Sequence, residues 1–388
     1  MSTRTRTVVL FLSIPVIAFA IVGGFLGKVM AREETFQHLK PFDDVLGLIS
    51  SNYVEDVNLD KVMHGAMRGL TDGLDADSAY LTPDQVKEFE GRSAQLAGEV
   101  GLEVTRQYYL RVIAARDNSP AAKAGLHSGD YVRAINDKPT RDMSAWEGMR
   151  ALRGAPGSKV TLSIIRGNAV DPHTVELTRE VLPTSDVHGR IAAPGIGYVR
   201  VAAIAGATVG AVKAQIADLQ KAGATKLILD VRRTSTGDPA QGLALARLFV
   251  RTGTLALREG TGGVREPVAA AAGDGAVALP ALVLVDLGTS GAAELFASAL
   301  SGNARADLVG EHTIGRAAVQ RLIKLPDNSA LWISTSRYLT PNGAPLHEKG
   351  LEPAVAVDEP DVEFGQPAPP GDKILDKAIE RLQAKQAA

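Results

Sequence analysis

With 388 residues, 45% of them hydrophobic, the chain is long enough to bury a sizeable core and to hold two or three domains. A net charge of −2 excludes a basic field for nucleic acid and an acidic tail. The absence of cysteine excludes disulfides, thiolate metal sites and a cysteine nucleophile, and it suits an oxidising compartment such as the periplasm.

At the N-terminus, Arg4 and Arg6 precede TVVLFLSIPVIAFAIVGGFLG, residues 7–27, which carry no charge. Such a run can cross a hydrocarbon core of about 30 Å. It reads as a transmembrane helix, an uncleaved anchor, in preference to a signal peptide ending at VMA (29–31). The charges around it favour an N-in orientation. This predicts an inner-membrane protein with its body in the periplasm, or an exported one, and residues 1–34 as membrane anchor or signal.

Residues 35–90 form a helical segment in this reading. HLKPFDDVLGLISSNYV and LDKVMHGAMRGLTDGL place apolar residues three and four apart, and GLDADSAYLTP (73–83) turns into another helix, with Thr82 as cap and Pro83 at the first helical position. From 91 to 182 the pattern changes to short strands around a helix, MSAWEGMRALRG. Residues 183–358 alternate strands (GIGYVRV, KLILDVR, ALVLVDL) with helices (TVGAVKAQIADLQKAG, QGLALARLFV, AAELFASAL). That alternation predicts an α/β core on a largely parallel sheet. Over 359–388 a Pro-rich linker leads to a C-terminal helix, whose Ile374, Ala378, Ile379 and Leu382 make one apolar stripe for docking.

The chemistry centres on LVLVDLGTSGAAELFASAL (282–300): a buried strand, a Gly-Thr-Ser-Gly turn and an Ala-rich helix. Such a corner presents a side chain beside the free N–H groups of a helix start, the setting for an attacking oxygen and a developing oxyanion.

The segment 91–182 resembles a bacterial PDZ domain through SPAAKAGLHSGDYVRAI and through Arg153-Gly154 to Leu162. The whole order resembles the C-terminal processing peptidases, the tail-specific serine proteases. GLDADSAYL is similar to that family's L-D-P-H-S-x-Y-L, GIGYVRV to G-I-G-Y-I-R-I, LILDVR to L-I-L-D-L-R, and SRYLTPNGAPLHEKGLEPAVAV to its closing segment. The resemblance implies an α/β core with an inserted PDZ domain, no cofactor, protein C-terminal tails or unfolded polypeptides as partners, and a Ser–Lys dyad in which a desolvated lysine is the base. In that alignment the serine position of G-T-A-S-A-S-E is Gly291, and the lysine position of V-G-E-x-T-x-G-K-G-x-V-Q is Arg316. The family's accessory polar residue is Gln320.

Glycine has no attacking atom, and arginine keeps its proton at physiological pH. The sequence therefore predicts a catalytically impaired homologue, a pseudo-protease. The family's D-L-R-G-N-P-G-G reads Asp230-Val231-Arg232-Arg233-Thr234-Ser235-Thr236-Gly237, which leaves the N–H groups of Gly237 and Ala292 for an oxyanion hole. The alternative is an active serine endopeptidase with Ser290 as displaced nucleophile and His312 as base; a helix-capping serine is the competing reading of Ser290. A PDZ carboxylate loop falls on Val100, Gly101 and Leu102, with Glu99 as a repulsive neighbour and Arg316 as a cation near an arriving tail. A PDZ unit that only packs on the core, or a scaffold with both sites dead, is the structural alternative. The other histidines (His38, His64, His127, His173, His188, His347) show no ligand spacing, so no metal is expected.

Overall fold

The computed structural model describes residues 39–91, 97–184, 186–360, 362–366 and 370–384. The chain divides into two units, Met1–Met67 and Arg68–Ala388. In the first, residues 39–52 are helical.

In the second unit the apolar run Ala281–Val285 is buried along its whole length. It lies between Lys226–Asp230 and Ala306–Gly310, parallel to both. Ile196–Ala203, Asp186–Ala193 and Val355–Ala356 complete a six-stranded sheet. Side chains alternate across it. Leu227, Leu229, Val283 and Val285 face helices Thr208–Lys221, Pro239–Ala246 and Ala292–Gly302. Ile228, Leu282 and Leu284 face the C-terminal helix Lys373–Ala384, which buries Ile374, Ala378 and Leu382 as its stripe predicts.

Helix Ala292–Gly302 is apolar nearly all round and buried through Leu300. Its neighbour helix approaches so closely that a Cβ on Gly242 would lie 2.1 Å from Ala292 O. Only glycine fits there.

A second sheet joins Ala79–Leu81, Ala330–Leu339, Thr254–Gly260, Arg265–Ala269 and Ala318–Lys324. The third sheet, over Leu102–Thr178, is a small barrel-like layer closed by helix Ala145–Leu152 around its own core of Val104, Leu110, Ile135 and Leu162.

This topology corrects the expected fold class. Among the described residues ten strand pairings are antiparallel and four are parallel. The sheets are mixed and mostly antiparallel, with parallel pairing confined to part of one of them. Strand–helix alternation gives the direction of consecutive strands. It is blind to the second sheet, whose members come from segments as distant as 79 and 339. The expected transmembrane helix over 7–27 lies outside the described residues. Among those described, no helix is long and apolar enough to cross a membrane.

Asp230, at the end of its strand, binds Arg232 Nη2 at 2.6 Å and Tyr198 Oη at 2.7 Å. Burial alone would raise its pKa, but Arg232 and Arg200 hold it at about 2. A folded pKa below the unfolded one stabilises above the unfolded value and is lost as pH falls through the folded value. Urea unfolding between pH 5 and pH 2 should lose roughly 2–3 kcal/mol from this group. The Asp230→Asn protein should be less stable at pH 5 and should show a correspondingly shallower decline.

Candidate active site

The turn 286–290 and the loop 231–234 are clasped by three bonds. Arg233 N donates to Asp286 Oδ1 at 2.8 Å, Thr289 Oγ1 donates to Val231 O at 3.0 Å, and Ser290 N donates to Thr234 O at 3.0 Å. Asp286 is buried, and burial pushes its pKa up against the Arg233 N–H and the nearby charges of Arg233 and Arg232. The clasp sets Gly237 against the helix start: at φ 134°, its Cβ would lie 3.1 Å from Ala292 Cβ and 2.4 Å from Ile204 O. The two residues expected to supply an oxyanion hole are thus neighbours, in a conformation that glycine permits.

Gly291 precedes the helix at φ 59°, ψ −116°. That backbone is strained for any residue with a side chain, by about 1–3 kcal/mol. The space is open, however: an added Cβ finds only Arg316 O, at 3.7 Å.

The helix start is tied to the Arg316 loop by one carboxylate. Glu294, fully buried, accepts from Thr313 Oγ1 at 2.5 Å, Gly315 N at 2.6 Å, Arg316 N at 2.7 Å and Gly291 N at 3.1 Å. Burial pushes its pKa up, and the donors oppose that push. Positions 291 and 316 therefore share one anchor.

The Arg316 side chain, one quarter exposed, turns to two acids. Nε donates to Asp77 Oδ2 at 2.9 Å and Nη1 to Glu103 Oε1 at 2.6 Å. Burial works against the charge, but Asp77 and Glu103 hold it firmly protonated. Arg316 is therefore engaged, and the expectation of a free cation awaiting a peptide tail is revised. Asp77 is presented by an Asx turn in which Asp75 Oδ1 accepts from Asp77 N and Ser78 N. Gln320 donates to Ser334 Oγ at 3.2 Å, and Ser334 N to Ser78 Oγ at 3.4 Å, which links it to the same turn.

Ser290 and His312 are not brought together by any hydrogen bond among the described residues. Ser290 is 1% exposed and its hydroxyl has no partner. His312 Nε2 lies on the surface, 3.6 Å from Glu352.

In the 97–184 region, Gly101 at φ 76° lies against Ser119, whose Cβ would be 2.2 Å from an added Cβ. Val100 and Leu102 are buried beside it. Glu99 is countered by Arg153 at 3.8 Å and Arg116 at 4.0 Å. Strand Leu102–Gln107 pairs on one side only. Along its other edge Val104 N donates to Met149 Sδ at 3.4 Å, so helix Ala145–Leu152 caps the edge that an added strand would use. That helix is tethered outward by Gln85 Nε2 to Glu147 Oε1 at 3.0 Å and by the Arg150–Glu88 ion pair.

Sequence reasoning missed Asp77, Glu103 and Glu294 as partners, although Asp77 and Glu294 lie inside motifs it used and Glu103 directly follows the Val100–Leu102 loop. The available signal was that an arginine entering a protein interior requires carboxylates. Which acids answer depends on contacts more than 200 positions apart.

A model of peptidase family S41 matches residues 195–357, and a PDZ model matches residues 111–166. The chain is 29% identical over 362 residues to the carboxy-terminal-processing protease of Bartonella bacilliformis, covering 89% of this chain and 83% of that protein. It is 31% identical over 317 residues to the carboxy-terminal processing protease CtpA of Bacillus subtilis, covering 81% and 67%. Among solved structures, the photosystem II D1 C-terminal processing protease superposes with a TM-score of 0.70 at 27% identity, covering 80% of this chain and 87% of that one.

Truncating Glu294 would leave Thr313, Gly315 and Arg316 with buried unpaired donors, each costing about 1–3 kcal/mol. Glu294→Ala should lower stability by at least about 3 kcal/mol, and Glu294→Gln, which keeps one acceptor oxygen, by less. Guanidinium unfolding monitored by tryptophan fluorescence tests this. A loss under about 1 kcal/mol for the alanine variant would show that the carboxylate is not the anchor.

Proposed function

Since the chain belongs to peptidase family S41, the family of the C-terminal processing peptidases, and carries a PDZ domain, we propose that it is a catalytically impaired member that binds protein C-terminal tails without cutting them. The observation that carries this reading is the pairing of Arg316 with Asp77 and Glu103. A guanidinium held by two carboxylates cannot accept the proton that a nucleophile must lose. At the facing position, Gly291 supplies no nucleophile. Gly237 and Ala292 keep the backbone of an oxyanion hole, and Gln320 keeps its place near the Asp77 turn, so a peptide carbonyl could still be held.

Asp77 stands where the L-D-P-H-S pattern has histidine. The departures at 77 and 316 form one electrostatic unit: an acid appears where an arginine needs it. The rival reading, endopeptidase action by Ser290 with His312, requires a buried hydroxyl to meet a surface imidazole that faces Glu352 instead.

Tail capture follows from the edge of strand Leu102–Gln107 and the Val100–Leu102 loop. Extended peptide would replace Met149 at Val104 N–H, while the terminal carboxylate takes loop N–H groups. Residues 7–27 anchor the protein in the inner membrane in this proposal, with the body in the periplasm. A partner protease that receives the captured tails is consistent with a binding role.

Incubating the full chain with an unfolded protein that ends in an apolar tail should give no cleavage by mass spectrometry. Combining Gly291→Ser and Arg316→Lys should give little, because Asp77 and Glu103 keep a lysine protonated. Adding Asp77→His should raise the rate by about a hundredfold or more, the usual worth of a working base. Cleavage by the unaltered protein that disappears with Ser290→Ala would overturn the proposal.

Tail binding is read separately by fluorescence anisotropy. Amidating the peptide's terminal carboxylate should weaken binding at least about tenfold, and Met149→Ala should strengthen it. Equal binding of the free and amidated peptides would remove the tail-capture role.

A further inference from the structure

Strand Leu102–Gln107 and helix Ala145–Leu152 are the two walls of the tail groove, and they meet where Val104 N donates to Met149 Sδ at 3.4 Å. Two residues from that contact stand opposite charges, Arg106 on the strand and Glu147 on the helix. The last turn of helix Leu59–Asp72 reaches both of them. Asp72 pairs with Arg106 through Oδ1, its Oδ2 lies 3.9 Å from Arg68 Nε, and Arg68 Nη2 lies 3.8 Å from Glu147 Oε2. One chain of charges, Arg106–Asp72–Arg68–Glu147, therefore runs from wall to wall.

The helix wall is fixed at this end. Ser144 and Glu147 close a capping box, Gln85 Nε2 donates to Glu147 Oε1 at 3.0 Å, and Trp146 packs on Leu81, Val86 and Ala330. Tilting the helix to widen the opening would break these contacts. A tail added antiparallel to the strand, with its carboxylate at the Val100–Leu102 loop, sends its upstream residues toward the bar of charges. From Leu102 to Arg106 an extended chain covers about 13 Å, roughly four residues. Beyond that, the chain has to displace Asp72 and Arg68 or turn out of the groove.

We propose that the Arg68–Asp72 turn is a gauge that admits only about the last four residues of a tail, and so selects tails with a flexible break just upstream over tails that continue as a strand. The gauge rests on tail capture by this groove and makes Arg68, Asp72 and Arg106 its specificity-determining residues. Ion pairs this exposed are weak singly, so the gauge discriminates by about tenfold and does not bar entry outright.

Isothermal titration of the full chain with two ten-residue peptides tests the gauge. Both end in the same four apolar residues; one carries two glycines just before them, the other valine and threonine. The glycine peptide is expected to bind about tenfold more tightly. That preference should vanish in Asp72→Asn and in Arg68→Gln, and should shrink in the unaltered chain as salt rises. Without a gauge the order reverses, because a continuing strand adds hydrogen bonds along the edge and glycine loses more entropy on ordering. Equal binding, tighter binding of the valine–threonine peptide by the unaltered chain, or a preference that survives in both variants overturns the gauge. Amidated forms of both peptides separate the two claims. Binding that needs the carboxylate but ignores the upstream pair keeps tail capture and removes the gauge; binding indifferent to the carboxylate removes tail capture and the gauge with it. Cooperative thermal melting confirms that the variants fold, and the salt series needs no variant.

Discussion

The buried carboxylate of Glu294 is the constraint on which the site depends. Four donors from two separate segments converge on it. Removing it would leave those donors dry, so the helix start at Gly291 and the loop at Arg316 stay together whatever side chains they carry. All four donors are backbone N–H groups or a hydroxyl, and none comes from the side chain of position 291 or 316. A substitution at either place changes the chemistry offered there and leaves the frame standing. The Asp286 clasp acts in the same way for Gly237 and Ala292.

Arg316 changes what the frame connects. Glu103 lies on strand Leu102–Gln107, and Asp77 lies in the turn before the first strand of the antiparallel sheet. One guanidinium therefore ties three parts of the second unit at the point where a base would stand. Further ties reinforce this closure. Arg106 pairs with Asp72, Arg150 with Glu88, and Trp146 packs on the cluster of Leu81, Val86 and Ala330. Exposed ion pairs contribute little singly, but a partly buried guanidinium with two acids is lost as a unit, because each acid would be left charged and dry.

Much of this was legible in the sequence because it is local. The cap at Thr82, with Gln85 completing a capping box, follows from residue type and position. So do the buried strand at 281–285 and the apolar stripe of the last helix. Positions 291 and 316 were legible through spacing within a motif order, and the structure sets their backbones on one carboxylate. The antiparallel sheet was not legible. Its strands are partly exposed and drawn from distant segments, and no periodicity encodes which remote strand will pair. The partners of Arg316 stayed hidden for the same reason: a sequence shows that a cation needs acids but not which acids the fold delivers.

The pairing of Arg316 also bears on why the site is stable. A lysine at 316 that worked as a base would have to be neutral, and a neutral amine beside Asp77 and Glu103 would leave two acids without a counter-charge. An arginine there satisfies both acids and fixes the loop, yet excludes proton transfer. Stability and basicity thus demand opposite surroundings at one position. With an acid at 77 and glycine at 291, the surroundings favour stability: the glycine relieves the strained φ of 59° that any side chain would bear. Asp77 keeps one buried oxygen, Oδ1, without a partner, so the balance is not complete.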